Sequence, residues 1–163
     1  MTRQILFCRH AKTELGYPEL LDHDRRLTDT GIEESMQVSR LLLGQNIKPD
    51  FYISSSATRA LDTCEIIKAD PSKKNILISR SIYTDSLKGI ESSIRSVSDK
   101  HKMIAVFGHN PSLSKIYNSI SNRVSINLPI SGVYLAEVNI RSWLSFNYLD
   151  MTLKTFLYPE EIK

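Results

Sequence analysis

The sequence predicts an α/β fold: a three-layer domain with a mainly parallel central sheet, helices on both faces and at least one antiparallel edge strand. Three observations predict it. Short apolar runs alternate with helix-periodic segments over roughly the first 120 residues, the pattern of strands joined by crossover helices. The runs at 3–8 (RQILFC) and 103–108 (MIAVFG) have the near-continuous apolar character of strands covered on both faces. After Pro129 the character changes to short segments joined by Asn, Ser and Asp, which read as edge or antiparallel strands. At 163 residues the chain has the length of one domain, taken as 1–163.

Taken in order, residues 3 to 8 are a buried strand, and 11 to 27 a polar, turn-rich loop with Gly16-Tyr17-Pro18. Thr28 caps a helix over 29–43, with Ile32, Met36, Ser39, Leu42 and Leu43 near helical spacing and Gly44 and Asn46 as the stop. Pro49 leads into a strand at 50–54. Ser55 or Ser56 caps a second helix over 57–69, carried by Ala57, Ala60, Leu61, Cys64 and Ile67 and ended by Pro71. A weak strand covers Asn75 to Ile78, and 87–99 reads as a helix. Asn110-Pro111 opens another helix running to about Ser119, with Asn as cap and Pro at the first helical position. Residues 133–138, 143–147 and 153–157 read as short strands.

Composition excludes more than it assigns. The 21 basic and 18 acidic residues leave a formal charge of +3, and no basic block suggests a nucleic-acid groove. No apolar run approaches the ~20 residues of a membrane span, and the N-terminus lacks a signal-peptide core. Cys8 and Cys64, the only cysteines, sit in apolar surroundings without CxxC spacing, as structural thiols of a reducing compartment do. A cytoplasmic protein that binds neither membrane nor nucleic acid is expected.

Ligands of parallel sheets bind outside the carboxyl ends of the strands. Here the first strand ends in Arg9-His10, the second in Ser54-Ser55-Ser56 followed by Arg59, and that at 103–107 in Gly108-His109-Asn110. Either histidine taken singly reads equally as a hydrogen-bonded boundary residue. Arg59 lies in a first helical turn, where the dipole disfavours a cation, so it answers to an anionic ligand or to a salt bridge with Glu33 or Glu34. Together the four suit phosphate. Guanidinium forks match its oxygens, a neutral His is a nucleophile at phosphorus, and a protonated second His bonds the equatorial oxygens. No Walker loop or magnesium-binding acidic set accompanies them. This points to metal-free phosphoryl transfer through a covalent histidine, with no cofactor. Asp22-His23-Asp24 could look like metal ligands, but no second ligand cluster supports them.

These residues resemble the histidine phosphatase (phosphoglycerate mutase-like) superfamily. FCRHAKTE at 7–14 matches its Arg-His-Gly signature with Ala11 at the Gly position. That variant is common in the small branch containing the SixA-type phosphohistidine phosphatases. DHDRRLTDTG at 22–31 looks like the branch's Asp-x-x-Arg-x-Leu-Thr-x-x-Gly segment, SSSATRALDTCEII at 54–67 its Ser-x-x-x-Arg-(Ala)-x-x-Thr pattern, and VFGHNPSLS at 106–114 its Gly-His-Asn-Pro block. The resemblance implies that His10 accepts the phosphoryl group, that Arg9 and Arg59 clamp its oxygens and that His109 is the second histidine of the pocket. It further implies a small polar lining residue at Thr13, a loop arginine at Arg26 that is not itself catalytic, and Asn110 as cap and orienter. His23 and Arg26 are placed at the substrate rim. Tyr17, Tyr83, Tyr134 and Trp143 either wall the site or fill the core, with core packing favoured for the last two.

Larger members use a Glu or Asp to protonate the leaving oxygen. In the corresponding stretch, SIYTDSLKG at 81–89, Asp85 is the one well-placed carboxylate, and it is either that acid or the cap of the next helix. Phosphohistidine tolerates the absence of an acid, because its leaving nitrogen is protonated before cleavage. The expected activity is hydrolysis of phosphohistidine on a protein partner. Two alternatives stand: a phosphatase of the same mechanism acting on a small phosphorylated metabolite, and a non-catalytic phosphate-binding module.

Overall fold

The computed structural model describes residues 1–68, 76–122 and 124–159. Its six strands are β1 (Thr2–Arg9), β2 (Phe51–Ser55), β3 (Ile76–Ser79), β4 (Met103–Gly108), β5 (Val133–Asn139) and β6 (Thr152–Leu157). They form one sheet in the order β3-β2-β4-β1-β5-β6. The first four in that order run parallel, β5 is antiparallel to β1, and β6 is antiparallel to β5. The helices are α1 (Asp29–Gly44), α2 (Thr58–Lys68), α3 (Arg80–Tyr83), α4 (Leu87–Arg95) and α5 (Ser112–Ile120). This is the expected mixed, mainly parallel sheet with an antiparallel edge. Among the described residues no helix is long and apolar enough to cross a membrane.

The two faces follow from strand alternation. Ile5 and Phe7 of β1, with Ile104 and Val106 of β4, pack against Ile82, Ile90, Ile94, Leu113, Ile116 and Tyr117 from α3, α4 and α5. Leu6, Cys8, Ala105 and Phe107 point the other way and meet Val38 and Leu42 of α1 and Cys64 and Ile67 of α2. Because both faces are covered, these strands read as unbroken apolar runs. Each large apolar side chain so buried contributes about 1.5–3 kcal/mol.

Several local expectations are corrected. The buried stripe of α1 is Gly31, Ser35, Val38, Ser39 and Leu42, while Ile32, Met36 and Leu43 are exposed. The helix is rotated because it packs through small residues. A Cβ on Gly31 would lie 2.1 Å from the Lys12 carbonyl oxygen, and Ser39 Oγ donates to the Ile67 carbonyl at 3.2 Å. The expected strand at 143–147 is a 3-10 turn, Trp143–Ser145, in which Trp143 and Phe146 are buried three residues apart and Leu144 is exposed. The helix expected over 87–99 ends at Arg95. Pro71 and Asn75, expected to end α2 and to open β3, lie outside the described residues.

The amino ends of β1 and β4 are fastened by Arg3. Its side chain is fully buried, pairs with Asp99 at 2.9 Å, donates to the carbonyls of His101 (2.7 Å) and Arg141 (2.5 Å), and stands 5.0 Å from the Trp143 ring. This leaves the opposite, carboxyl end of the sheet for chemistry.

Candidate active site

β1 and β4 end level with each other: Arg9 pairs with Gly108, and His10 N donates to the Gly108 carbonyl at 3.2 Å. His10 and His109 therefore leave the sheet side by side, with ring centroids 5.2 Å apart. The next strand, β2, brings Ser55 to the same edge, where its Oγ lies 2.7 Å from His109 Nε2. Arg59 follows in the first turn of α2.

The tautomer of His10 is set by its own chain. Nδ1 lies 2.9 Å from the Ala11 carbonyl oxygen, which can only accept, so Nδ1 carries the ring proton and Nε2 the lone pair. Burial lowers the ring's pKa to about 4, and Arg59, Arg9 and Arg25 push in the same direction against the Ala11 hydrogen bond. The imidazole is neutral at neutral pH. Its backbone is pinned by Ser131 N donating to His10 O (3.2 Å) and by Ala11 N donating to Thr63 Oγ1 (3.0 Å). Thr63 in turn donates to the Arg59 carbonyl at 2.7 Å, which ties the His10–Ala11 turn to the helix carrying Arg59.

His109 is also held neutral, where the sequence reading expected a protonated ring. Burial, then the His10 ring and Arg59, lower its pKa to about 3, although Asp22 pulls the other way. Ser55 Oγ accepts from Ala57 N at 3.2 Å and has its own hydrogen to give to Nε2. Nδ1 of the same ring is a buried atom with no hydrogen-bond partner. Arg9 donates from Nη1 to the Leu128 carbonyl at 2.7 Å, and burial lowers its pKa. Arg59 donates from Nη1 to the Asp22 carbonyl at 2.6 Å and from Nη2 to Asp22 Oδ2 at 3.1 Å. Five buried side-chain polar atoms among the described residues lack a partner, and three belong to this cluster: Arg9 Nε, Arg59 Nε and His109 Nδ1. An unpaired buried polar atom costs about 1–3 kcal/mol, so the cluster is held at some expense to stability.

Two site residues escaped the sequence reading. The Asp22 carboxylate accepts from Arg25 Nη1 (3.0 Å), Arg59 Nη2 (3.1 Å) and the Tyr83 hydroxyl (3.3 Å). Partial burial pushes its pKa up, but Arg59 and the two arginine hydrogen bonds outweigh that and hold it below the usual carboxylate range. Arg25 also bonds Thr13 Oγ1 and the Glu14 carbonyl, and its charge reaches the His10 ring. The signal was present, since Asp22 and Arg25 occupy the named positions of the Asp-x-x-Arg segment and Arg26 does not. Consecutive residues of an extended chain point to opposite sides, and Arg26 accordingly faces Asp62 in the groove between α1 and α2. Arg26 is thus no rim residue, and Thr13 serves to hold Arg25.

Asp85 is engaged at the start of α5. Its Oδ1 accepts from Ser112 N at 3.0 Å, its carbonyl from Ser112 Oγ at 2.7 Å, and its φ is 55°. It caps α5, while α4 is capped by Ser86. Asn110 is therefore not the cap of α5; its side chain bonds Asn127, Leu128 and Ser114. His23 sits at the rim, between Asp24 Oδ1 and Ser56 Oγ, each at 3.1 Å. Tyr83 stands edge-on between His23 and His109, Tyr134 and Trp143 are core, and Tyr17 is exposed. Among the described residues no three His, Cys, Asp or Glu side chains converge as a metal-binding set. Cys8 and Cys64 are buried and unpaired, with burial raising both thiol pKa values. Chemically, the cluster offers a bare imidazole nitrogen among cationic and neutral donors suited to a tetrahedral oxyanion.

Comparison with known proteins agrees with this geometry. Residues 5–80 match the family model of the histidine phosphatase superfamily (branch 1). An uncharacterized protein of Mycobacterium leprae (strain TN) is 24% identical over 163 residues, covering 93% of this chain and 99% of its own. The structure of the protein histidine phosphatase SixA complexed with tungstate superposes with a TM-score of 0.81 at 17% identity, over 98% of this chain and 99% of that one. A candidate phosphohistidine phosphatase SixA from Agrobacterium tumefaciens gives 0.80 at 21% identity, over 96% and 98%. At such identities the structural likeness establishes a shared fold.

Proposed function

We propose, from the match of residues 5–80 to the histidine phosphatase family model and from the geometry of the site, that this chain is a metal-independent phosphatase that works through a phosphohistidine on His10. We further propose that its substrate is phosphohistidine on a protein partner. The observation that carries the reading is the convergence of His109, Arg59 and Arg9 on His10, a neutral histidine whose Nε2 holds a lone pair. Nε2 attacks phosphorus in line with the leaving group, the P–N bond forms, and the bond to the leaving group breaks. Water then takes the phosphoryl group from His10 and the ring returns to its resting state. The arginines and His109 stabilise the equatorial oxygens in both steps, already in place before substrate arrives.

Substrate class follows from what is short at the site. Asp85 is committed to α5, and Asp22 is an ion-paired carboxylate. With no carboxylic acid at hand, a phosphoramidate, whose nitrogen takes its proton before cleavage, is the easiest substrate. The free buried cysteines fit a reducing cytoplasm.

The test is a panel of phosphohistidine protein, phosphoserine and sugar phosphates assayed in chelator, with His10→Ala beside the wild type. Phosphohistidine is cleaved fastest, the variant is inactive, and acid-labile phosphate is trapped on His10. Activity that chelator abolishes, or that His10→Ala retains, overturns the mechanism. A reversed substrate order moves the reading to a metabolite phosphatase.

A further inference from the structure

In-line displacement places the leaving group on the far side of phosphorus from His10 Nε2. An open cavity adjoins the cluster through Asp22, which bonds Arg59, and the cavity's polar groups are Asp22, His23, Asp24, Ser56, Arg80 and Tyr83. For a leaving group that occupies this cavity, these are the protein groups that can supply a proton. Asp22 is an ionised partner of Arg25 and Arg59, and the Tyr83 hydroxyl is spent on Asp22. Arg80 does not give up protons. Asp24 is an acceptor for His23.

Ser56, whose hydroxyl is hydrogen-bonded to His23 Nε2, is too weak an acid to give up its proton, so His23 remains, and it is built for the task. Its Nδ1 faces the Asp24 carboxylate, an acceptor, at 3.1 Å, which puts a proton on Nδ1. Its Nε2 reaches Ser56 Oγ at 3.1 Å, next in the chain to the Ser55 that holds His109. The ring lies edge-on to Tyr83 at 4.9 Å, and Tyr83 lies edge-on to His109 at 6.1 Å. Three contacts thus fix one orientation, while 38% of the side chain stays open to the cavity. The base-and-orienter geometry is that of a general acid.

We propose that His23, oriented by Asp24, protonates the leaving group, and that the site therefore cleaves alkyl phosphomonoesters as well as phosphoramidates. The proposal rests on the His10 reading above. In the first transfer the His10 Nε2 lone pair forms the P–N bond, the P–O bond breaks with its electron pair going to oxygen, and that oxygen takes the Nε2 proton of His23. In the second, neutral His23 Nε2 takes a proton from the attacking water, the P–N bond breaks with its pair returning to His10, and phosphate leaves. His23 ends as it began.

The experiment is kcat/KM over phosphomonoesters from p-nitrophenyl phosphate to simple alkyl phosphates, for wild type, His23→Gln and Asp24→Asn. Tungstate affinity serves as the check on the cradle. His23→Gln loses about 100-fold on alkyl esters, the usual scale of general acid catalysis, but less than about threefold on p-nitrophenyl phosphate, whose anion leaves unaided. Asp24→Asn loses about tenfold on alkyl esters, and tungstate binding is unchanged in both. An equal loss across the series, no loss on alkyl esters, or a wild type that cleaves phosphoramidates alone overturns the role of His23. In those cases phosphate trapped on His10 leaves the phosphatase reading standing. A wild type that cleaves nothing and traps nothing overturns both.

Discussion

Acidification from pH 7 to pH 5 should destabilise this protein through its two site histidines. An unfolded histidine has a pKa near 6.5. In the fold, burial and neighbouring cations hold His10 at about 4 and His109 at about 3. Below pH 6.5 the unfolded chain therefore takes up protons that the folded chain refuses. Stability is whole above pH 6.5 and declines as pH falls toward the folded values. At pH 5 each ring contributes a loss of about 2 kcal/mol, about 4 kcal/mol for both. For a chain of this size that is a Tm lower by roughly 8–16 °C. Other titrating groups are removed by comparing wild type with a His10→Gln, His109→Gln double variant at both pH values by urea unfolding. The wild type loses about 4 kcal/mol more than the double variant between pH 7 and pH 5. Saturating tungstate reduces the wild-type loss, because an oxyanion favours the protonated rings. Equal pH dependence in the two proteins would refute the burial and charge argument for both histidines.

Arg25→Ala weakens tungstate binding about 10- to 100-fold by isothermal titration, the worth of a charge-assisted contact, whereas Arg26→Ala changes it less than about twofold; the reverse order would contradict the geometry of the 22–27 segment. Asp85→Asn keeps an acceptor for Ser112 N and tolerates the positive φ, so kcat on alkyl phosphates stays within about twofold. Asp85→Ala costs about 1–2 kcal/mol of stability as a lost cap, and a 100-fold loss of kcat in Asp85→Asn would restore the acid role. Gly31→Ala forces a Cβ against the Lys12 carbonyl and lowers unfolding stability by about 1–3 kcal/mol; an unchanged urea midpoint would deny the close approach of α1 to that segment.

The strands were legible because burial on both faces leaves no polar alternation to misread: Ile5 to Cys8 and Ile104 to Phe107 are apolar at every position, whichever face each serves. The ends of those strands were legible for the converse reason, since Arg9, His10 and His109 break the apolar run where the sheet meets solvent. What stayed hidden depends on contacts distant in sequence. Asp85 looks like an acid until Ser112 is seen above it. Ile32 and Met36 look like a core stripe until the Lys12 backbone is found against Gly31. Arg25 and Arg26 differ only in which side of an extended segment each faces, a parity that the Thr13–Leu27 bridge sets. Trp143 and Phe146 did carry a readable cue, because a three-residue spacing of buried aromatics belongs to a tight helical turn and not to a strand.

The level ending of β1 and β4 also bears on how such a site can be rebuilt. Neighbouring strands stand about 4.8 Å apart in any sheet, and the 5.2 Å between the His10 and His109 rings is nearly that spacing, carried one residue past the last ladder contact. The separation of the two imidazoles is thus a dimension of the scaffold, independent of loop sequence. Loops 11–27 and 124–131 supply His23, Arg25 and the carbonyl that holds Arg9. A library confined to those loops varies the surroundings of the two rings while the rings keep their gauge.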